Sequence, residues 1–302
     1  MNPQDAAYRA ALESVTVLIV TYNSAHCVEA LAAGLAGVPQ VIVVDNASAD
    51  DTCARVKMDL PAARLIVMSV NKGYGVANNA GLAAVQTDYA LLLNPDCIVD
   101  AGQIAALVQG ARAWPDATLV VPQLTDASGR LQVNYSWPRD AWSPKSTEAT
   151  GPLNVGYACA AVMLIHMANI ARIGLFDPLF FLYYEDEDLC LRVFKAHGQI
   201  LVLPAVRITH LSRGSVRGAR PWRAEYWRGY HHAQSKILFT WKHAGAQAAG
   251  RLRRRTLLLS ALNVLARFVV LSPKHLARAW GRFQGLRVLK AGELASARRE
   301  AR

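Results

Sequence analysis

The 302-residue chain reads as an α/β protein, a parallel sheet with helices on both faces followed by a basic, mainly helical C-terminal region. Three observations predict it. Short continuous apolar runs alternate with helix-length segments through the first hundred residues, the mark of strands buried on both faces. Polar residues collect just after each apolar run, where open α/β sheets bind ligands. Charge also divides the chain: residues 1–206 carry 12 Lys+Arg against 19 Asp+Glu, and residues 207–302 carry 21 against 3. The net +11 therefore belongs to the C-terminal third.

The elements follow in order. Val15–Val20 is a buried strand run, and Ala25–Gly34 reads as a helix capped by Ser24. Val41–Val44 is the second strand and Asp50–Lys57 the second helix. Arg64–Ser69 is the third strand and Gly75–Val85 the third helix. Tyr89–Leu93 is the fourth strand, closing on Asn94-Pro95-Asp96. Far along the chain, the acids Glu185-Asp186-Glu187-Asp188 sit inside an apolar stretch, with Leu179–Tyr184 before them and Leu189–Leu191 after. At helical spacing Asp186 shares a face with Leu189, Cys190 and Val193, while Asp188 faces Arg192 at i,i+4. That spacing aims Asp186 at the interior or a cleft, where a carboxylate needs a cation, a hydrogen bond or a reaction. A plain helix N-terminus, where acids favour the dipole, is the alternative.

Thr256–Ser272 is the most apolar segment. It falls short of the roughly 20 residues of a spanning helix, and Arg267 interrupts it. It reads as a helix lying on a surface, docked in the core or making a homo-oligomeric contact. Basic residues nearby alternate with Trp222, Tyr226, Trp227, Tyr230 and Trp241, a pattern suited to an anionic membrane interface. The five cysteines are scattered with no zinc spacing, and the first fourteen residues do not resemble a signal peptide, so reduced thiols in a cytoplasmic setting are expected. A hydrophobic share of 53% is ample for a large core.

Each strand end supplies polar groups: Thr21-Tyr22-Asn23, Asp45-Asn46, Asn71-Lys72-Gly73 and Asn94-Pro95-Asp96. No Walker loop is present, and Gly73-Tyr74-Gly75 lacks the third glycine of a dinucleotide fingerprint. The set fits a nucleotide-sugar pocket. Asp45 can accept hydrogen bonds from a pyrimidine edge or ribose, Lys72 can approach a phosphate, and Gly73 and Gly75 admit the backbone close to it. Asp45-Asn46 is equally explained by a turn with a helix cap at Ser48, and Lys72-Gly73 alone by a plain turn.

Val44–Ser48, Asn71–Gly81, Leu91–Asp96, Gly174–Asp177, Phe180–Arg192 and His210, taken in order, resemble glycosyltransferase family two, in its bacterial rhamnosyltransferase-like branch. The resemblance covers roughly residues 15–215. It implies a GT-A fold with a Rossmann-like nucleotide-sugar half, about 15–96, an acceptor half, about 97–215, and a separate basic region, 216–302. It implies Thr21, Tyr22, Asn23, Asp45, Asn46, Lys72, Gly73, Asn78, Asn94 and Asp96 on the donor side, and Tyr184 and Glu185 on the acceptor side. Asp186 takes the place of the family's catalytic base. Asp96 takes the place of the metal ligand, with His210 as a further ligand or else a structural strand-end histidine. Asn94-Pro95-Asp96 departs from the two-acid form of the motif, so Asp96 alone can give a carboxylate. Oxygen ligands suit Mn²⁺ or Mg²⁺, and an imidazole tilts toward Mn²⁺. Arg213 and Arg217 are a diphosphate lid or a solvated basic loop.

The expected activity is inverting transfer of a sugar, rhamnose in this branch, from a dTDP-, UDP- or GDP-activated donor. The acceptor is a glycan or a polyprenyl-linked glycan, met at the inner face of the cell membrane by a peripheral enzyme. Two readings compete. A nucleic-acid-binding protein would use the basic third, but no helix-turn-helix, zinc or RNA-binding pattern accompanies the charge, so no nucleic acid is expected. An inactive scaffold is the other, and the presence of Asp45, Asp96, Asp186 and His210 argues against it.

Overall fold

The computed structural model describes residues 2–136, 148–212, 221–269 and 272–289. The chain divides into two compact units, one of Met1–Phe176 with Leu189–Arg217, the other of Asp177–Asp188 with Gly218–Arg302.

The first unit is built on one ten-stranded sheet. A helix the sequence reading did not assign, α1 (Pro3–Glu13), opens the chain, capped by Asn2 accepting from the Gln4 amide and by Pro3 in its first turn. Then come β1 (Val15–Thr21), a 3₁₀ turn (Ala25–Cys27) running into α2 (Val28–Gly34), β2 (Val41–Asp45), α3 (Thr52–Asp59), β3 (Arg64–Val67), α4 (Tyr74–Leu82) and β4 (Tyr89–Leu93). The expected elements are all present, with ends displaced by at most three residues. One detail differs. Ser24 makes no side-chain cap bond to the first turn, because its hydroxyl turns back to the Tyr22 carbonyl.

β5 (Cys97–Ile98) and α5 (Ala101–Arg112) follow, the helix closed by a reciprocal capping box between Asp100 and Gln103. Next are β6 (Ala117–Thr125), β7 (Leu131–Gln132), β8 (Tyr135–Ser136), β9 (Leu153–Asn154), β10 (Tyr157–Ala158), β11 (Val162–His166), α6 (Met167–Ile170), α7 (Glu185–Lys195) and β12 (Gln199–His210). The main order is β3-β2-β1-β4-β11-β6-β12-β5. β3, β2, β1 and β4 are mutually parallel, as expected. The remainder is mixed, because β11 enters antiparallel to both β4 and β6.

The alternation of side chains across β1 explains its unbroken apolar run. Val15, Val17 and Ile19 pack into one core with α1, α2 and α5, while Leu18 and Val20 pack into a second on the other face. Gly81 lets α4 lie flat on that second face, since a Cβ there would stand 2.2 Å from a Leu18 methyl. Leu189, Cys190 and Val193 of α7 join the same core.

The second unit is helical. α8 (Pro221–Val269) is broken at Gly245, whose φ of 87° is left-handed, and α9 (Pro273–Val288) packs back on it. The contact is close because of glycines: a Cβ on Gly281 would stand 2.0 Å from the Tyr226 carbonyl oxygen, and one on Gly229 2.1 Å from that of Arg278. Ala233, Ile237, Ala249 and Leu286 form the small core of this pair.

The apolar stretch read at 256–272 is part of α8 as far as residue 269; residues 270 and 271 lie outside the described ones. Leu257 packs against the small core of the helix pair, but the other leucines described in the stretch do not dock. Leu258, Leu259, Leu262 and Leu265 are exposed, at 64%, 54%, 54% and 65%, with Leu258, Leu262 and Leu265 at i, i+4, i+7 spacing on one stripe. Exposed Arg251, Arg254 and Arg255 precede them. Among the described residues no helix is long and apolar enough to cross a membrane.

Candidate functional site

In the first unit the ends of β1, β2 and β3 are tied together by side chains. The Asp45 carboxylate, 1% exposed, accepts from the Thr21 hydroxyl at 3.0 Å, the Ser48 amide at 2.9 Å and the Ser48 hydroxyl at 2.5 Å. The turn reading of Asp45-Asn46 is therefore realised, but with Ser48 serving Asp45 rather than capping a helix; α3 starts only at Thr52. Asn46 joins this loop to the next one. Its amide donates to Asn71 Oδ1 at 3.0 Å and to the Gly73 carbonyl at 3.1 Å, and its oxygen accepts from the Lys72 amide at 3.0 Å.

Gly73 has φ 89°, a conformation that costs a side-chain-bearing residue energy and that glycine adopts freely. Asn23 and Ala47 adopt the left-handed region without that freedom. They are held there by the Asn23 amide donating to Ser48 Oγ at 2.8 Å and the Ala49 amide donating to Asn23 Oδ1 at 2.8 Å. Strain of this kind collects at ligand sites. Around the rigid loops Tyr22 and Lys72 are exposed. Asn78 is buried, donating to the Tyr74 carbonyl at 2.9 Å inside α4.

The fourth strand end brings Asp96 to His210. β5 pairs antiparallel with the end of β12, setting His210 opposite Cys97 and Thr209 opposite Ile98. The Leu211 amide then donates to the Asp96 carbonyl at 2.9 Å. His210 Nε2 lies 3.6 Å from Asp96 Oδ1, and the donor atoms of Asp96, Cys97 and His210 all fall within 4.8 Å of one another. Ser212 Oγ, 3.3 Å from His210 Nδ1, orients the ring with Nε2 toward the carboxylate. Burial, then the Asp96 charge, pushes the Cys97 thiol well up, so it is a poor thiolate source. A carboxylate and an imidazole remain, a donor pair that fits Mn²⁺ or Mg²⁺. Asn94 closes the turn into β5: its amide donates to the Ala161 carbonyl at 2.8 Å, and its carbonyl accepts from the Cys97 amide at 3.0 Å. Arg213 and Arg217 lie outside the described residues.

The acidic run belongs to the second unit up to Asp188. It does open a helix, α7, but burial falls differently from the single-helix reading. Asp186 is half-exposed, whereas Glu185 is 6% and Asp188 0% exposed. The reason lies on α8. Lys242 Nζ bridges Asp188 Oδ1 at 2.5 Å and Asp177 Oδ2 at 2.6 Å, and His243 Nε2 meets Asp188 Oδ1 at 2.8 Å. Arg192 donates to the carbonyls of Ile173, Gly174 and Leu175.

The same face of α8 holds the residues leading into the run. His231 stacks on Phe181 at 4.5 Å, His232 meets Tyr183 and Tyr184, Ser235 Oγ donates to the Leu182 carbonyl at 2.8 Å, and Phe239 packs on Tyr184. Those contacts keep Tyr183 and Tyr184 at φ 69° and 67°, two consecutive left-handed tyrosines, a backbone that bulky residues avoid unless over-determined.

Burial, reinforced by the Asp186 charge, drives the Glu185 carboxyl well above its ordinary value and Glu187 to about 11. Glu187 therefore holds its proton at neutral pH, which relieves like-charge repulsion along the run. Lys242, His243 and the aromatic and hydroxyl partners on α8 were missed by sequence reading. Their signal was present as the spacing 231, 235, 239, 242 of ring, hydroxyl and charged residues along one helical face.

These loops and donors sit in a chain with recognisable kin. A model of "Glycosyl transferase family 2" matches residues 16–169. The N-acetylglucosaminyl-diphospho-decaprenol L-rhamnosyltransferase of Mycobacterium tuberculosis is 26% identical over 264 residues, covering 76% of this chain and 85% of that protein. Among solved structures, the mannosyltransferase PcManGT of Pyrobaculum calidifontis, in complex with GDP-Man and Mn²⁺, matches 95% of this chain and 86% of its own at 17% identity and a TM-score of 0.54. GalNAc-T7 with UDP, GalNAc and Mn²⁺ matches 74% of this chain at 15% identity and a TM-score of 0.52, and this chain spans half of that one. The architecture is thus the GT-A fold, and the chain belongs to glycosyl transferase family 2, in its rhamnosyltransferase-like branch.

Proposed function

We propose that the chain is an inverting transferase that moves rhamnose from dTDP-rhamnose to a hydroxyl of a glycan carried through a diphosphate on a polyprenol, as part of building the cell envelope. The observation that carries this reading is the Asp96–His210 pair at the end of the sheet that also bears the tied loops of Asp45, Asn46 and Gly73. The rhamnosyl donor and the diphospho-lipid acceptor are suggested by the mycobacterial relative.

Asp96 and His210 would hold a divalent cation that neutralises the departing diphosphate. Lys72, exposed on the loop that Asn46 fixes, stands ready to meet a phosphate. Thr21, Tyr22, Asn23, Asp45 and Asn78 shape and stiffen the donor loops. Asp186 takes the proton of the acceptor hydroxyl as that oxygen bonds to the anomeric carbon. The bond from that carbon to the diphosphate breaks, and its electron pair leaves on the diphosphate. One displacement from the opposite face inverts the anomeric centre. Tyr184 and Glu185, beside the base in the chain, receive the acceptor. The exposed leucines of α8, with Arg251, Arg254 and Arg255, attach the enzyme to the anionic cytoplasmic leaflet where such an acceptor lies.

A thermal-shift panel tests the donor. dTDP-rhamnose with Mn²⁺, at about a hundredfold excess over its Kd, should raise Tm by about 5 °C, more than UDP- or GDP-sugars do. Asp96→Ala should erase the part of the shift that needs Mn²⁺. An undiminished shift in EDTA would remove the metal from the reading, and a response to UDP- or GDP-sugars alone would remove the rhamnosyl donor.

A further inference from the structure

The second unit holds a group of basic residues that the transfer chemistry above does not use. His232 and Lys236 stand one turn apart on α8, and Arg278 and Arg282 one turn apart on α9. The glycine contacts bring the two helices within backbone reach at this level: a Cβ on Gly229 would stand 2.1 Å from the Arg278 carbonyl oxygen and 3.0 Å from the Arg282 amide nitrogen. Tyr184, immediately before the acidic run, packs its ring 5.5 Å from that of His232.

Among the described residues the three cations, Lys236, Arg278 and Arg282, outnumber the carboxylates that meet them. Arg278 has a 3.9 Å approach to Glu225, an acid that already pairs with Arg228 at 2.9 Å. Among the described residues neither Lys236 nor Arg282 has a carboxylate partner, although both are half-buried. The acid three residues beyond Tyr184 in the chain, Glu187, is held neutral by its burial. The mutual repulsion is felt: burial, then the charges of Arg282, Lys236 and Arg278, hold the His232 imidazole down at about 4, and burial with Arg278 lowers even Arg282. Half-buried guanidinium groups are ordinarily matched by carboxylate or phosphate, whose geometry they meet in pairs. A cluster without the carboxylate is complementary to an incoming anion of more than one charge.

We propose that Lys236, Arg278 and Arg282, with the neutral His232 as a further hydrogen-bonding group and Tyr184 as its border, form a binding site for the diphosphate of the lipid-linked acceptor. The inference rests on the acceptor proposed above and gives it an anchor that is separate from the donor-binding unit. Two guanidinium groups and an ammonium suit the several charges of a diphosphate monoester better than the single charge of a phospholipid diester. Holding the diphosphate at Tyr184 would place the first sugar of the acceptor beside the acidic helix start.

Binding is measured without donor, by co-sedimentation of the full chain with phosphatidylcholine vesicles containing undecaprenyl diphosphate. Parallel arms use phosphatidylglycerol vesicles of equal charge and competition by free inorganic pyrophosphate. Arg282→Gln and Arg278→Gln should each weaken binding to the diphosphate vesicles about tenfold, leave phosphatidylglycerol binding within twofold, and abolish competition by pyrophosphate. Arg282→Lys, which keeps the charge, should recover part of the loss and guards against misfolding, as does an unchanged Tm. Equal losses on both vesicle types would reduce the cluster to general surface charge and overturn the site, as would wild-type binding in the glutamine variants. Since no donor is present, a chain that failed as a rhamnosyltransferase would still give the expected result, and a failed site would leave the dTDP-rhamnose shift intact.

Discussion

Asp186 and Glu187 are the half-exposed members of the acidic run; Asp188 is held by Lys242 and His243, and Glu187 keeps its proton up to about 11. The proposed mechanism takes Asp186 as the base. Asp186→Asn should lower transfer by at least about a thousandfold while donor affinity stays within twofold, measured by single-turnover kinetics and titration. A collapse of donor affinity with turnover preserved would reassign the residue.

Glu187 gives a separate signature. The folded chain keeps its proton up to about 11, while the unfolded chain releases it near the ordinary glutamate value of 4.5. Its contribution to stability is full below the unfolded value and declines as pH rises from there toward 11. Glu187→Gln cannot lose that proton, so it should raise Tm by about 3 °C or more at pH 8 and leave it unchanged at pH 4. Melting curves at the two pH values decide it. Asp45 and Asp96 were legible one by one in the sequence, since polar residues at strand ends are where such sheets bind ligands, whereas His210 was singled out only by the family resemblance. Which acid of the run is buried was not legible, because Asp188 is enclosed by residues more than fifty positions away.

At the level of elements, one face of α8 serves as the bed for the segment Asp177–Asp188. Six of its side chains, from His231 to His243, engage that segment through rings, a hydroxyl and charges. Asp188 is wholly buried, so taking away Lys242 removes the full positive charge that balances it, which costs more than the pair's net worth. Lys242→Met should destabilise by about 3 kcal/mol in urea unfolding. Adding Asp188→Asn to that variant should restore part of the loss, and a strictly additive double variant would show that the bridge does not carry the effect. The strands and the first three helices were readable from period and punctuation, because each is buried by neighbours close in sequence. α1, the antiparallel entry of β11 and the bed on α8 were not, since each depends on a partner that only the folded chain supplies.

At the scale of the whole molecule, the asymmetry of charge was plain in composition, and the exposed leucine stripe gives it an apolar companion. Each cation near an anionic surface adds about 1 kcal/mol, screened by salt, and buried leucines add a part that salt does not remove. The intact chain should therefore pellet with anionic vesicles at low salt and retain some binding at high salt. Replacing Leu258, Leu262 and Leu265 by serine should abolish the salt-resistant part and spare the rest. A supernatant-bound wild-type chain at low salt would end the membrane role.

Compactness does not follow the motif-defined halves: Asp177–Asp188 is grouped with the C-terminal helices and not with the sheet that precedes it in the chain. For anyone building chimaeras to alter acceptor choice, that sets the splice points. Helices grafted from a relative at residue 218 alone would arrive with a foreign bed beneath the native acidic run. Asp177 and Asp188 would lose Lys242, and the tyrosine pair its supporting rings. A graft that carries 177–188 together with the helices keeps both sides of every such contact from one parent, and is the exchange to make.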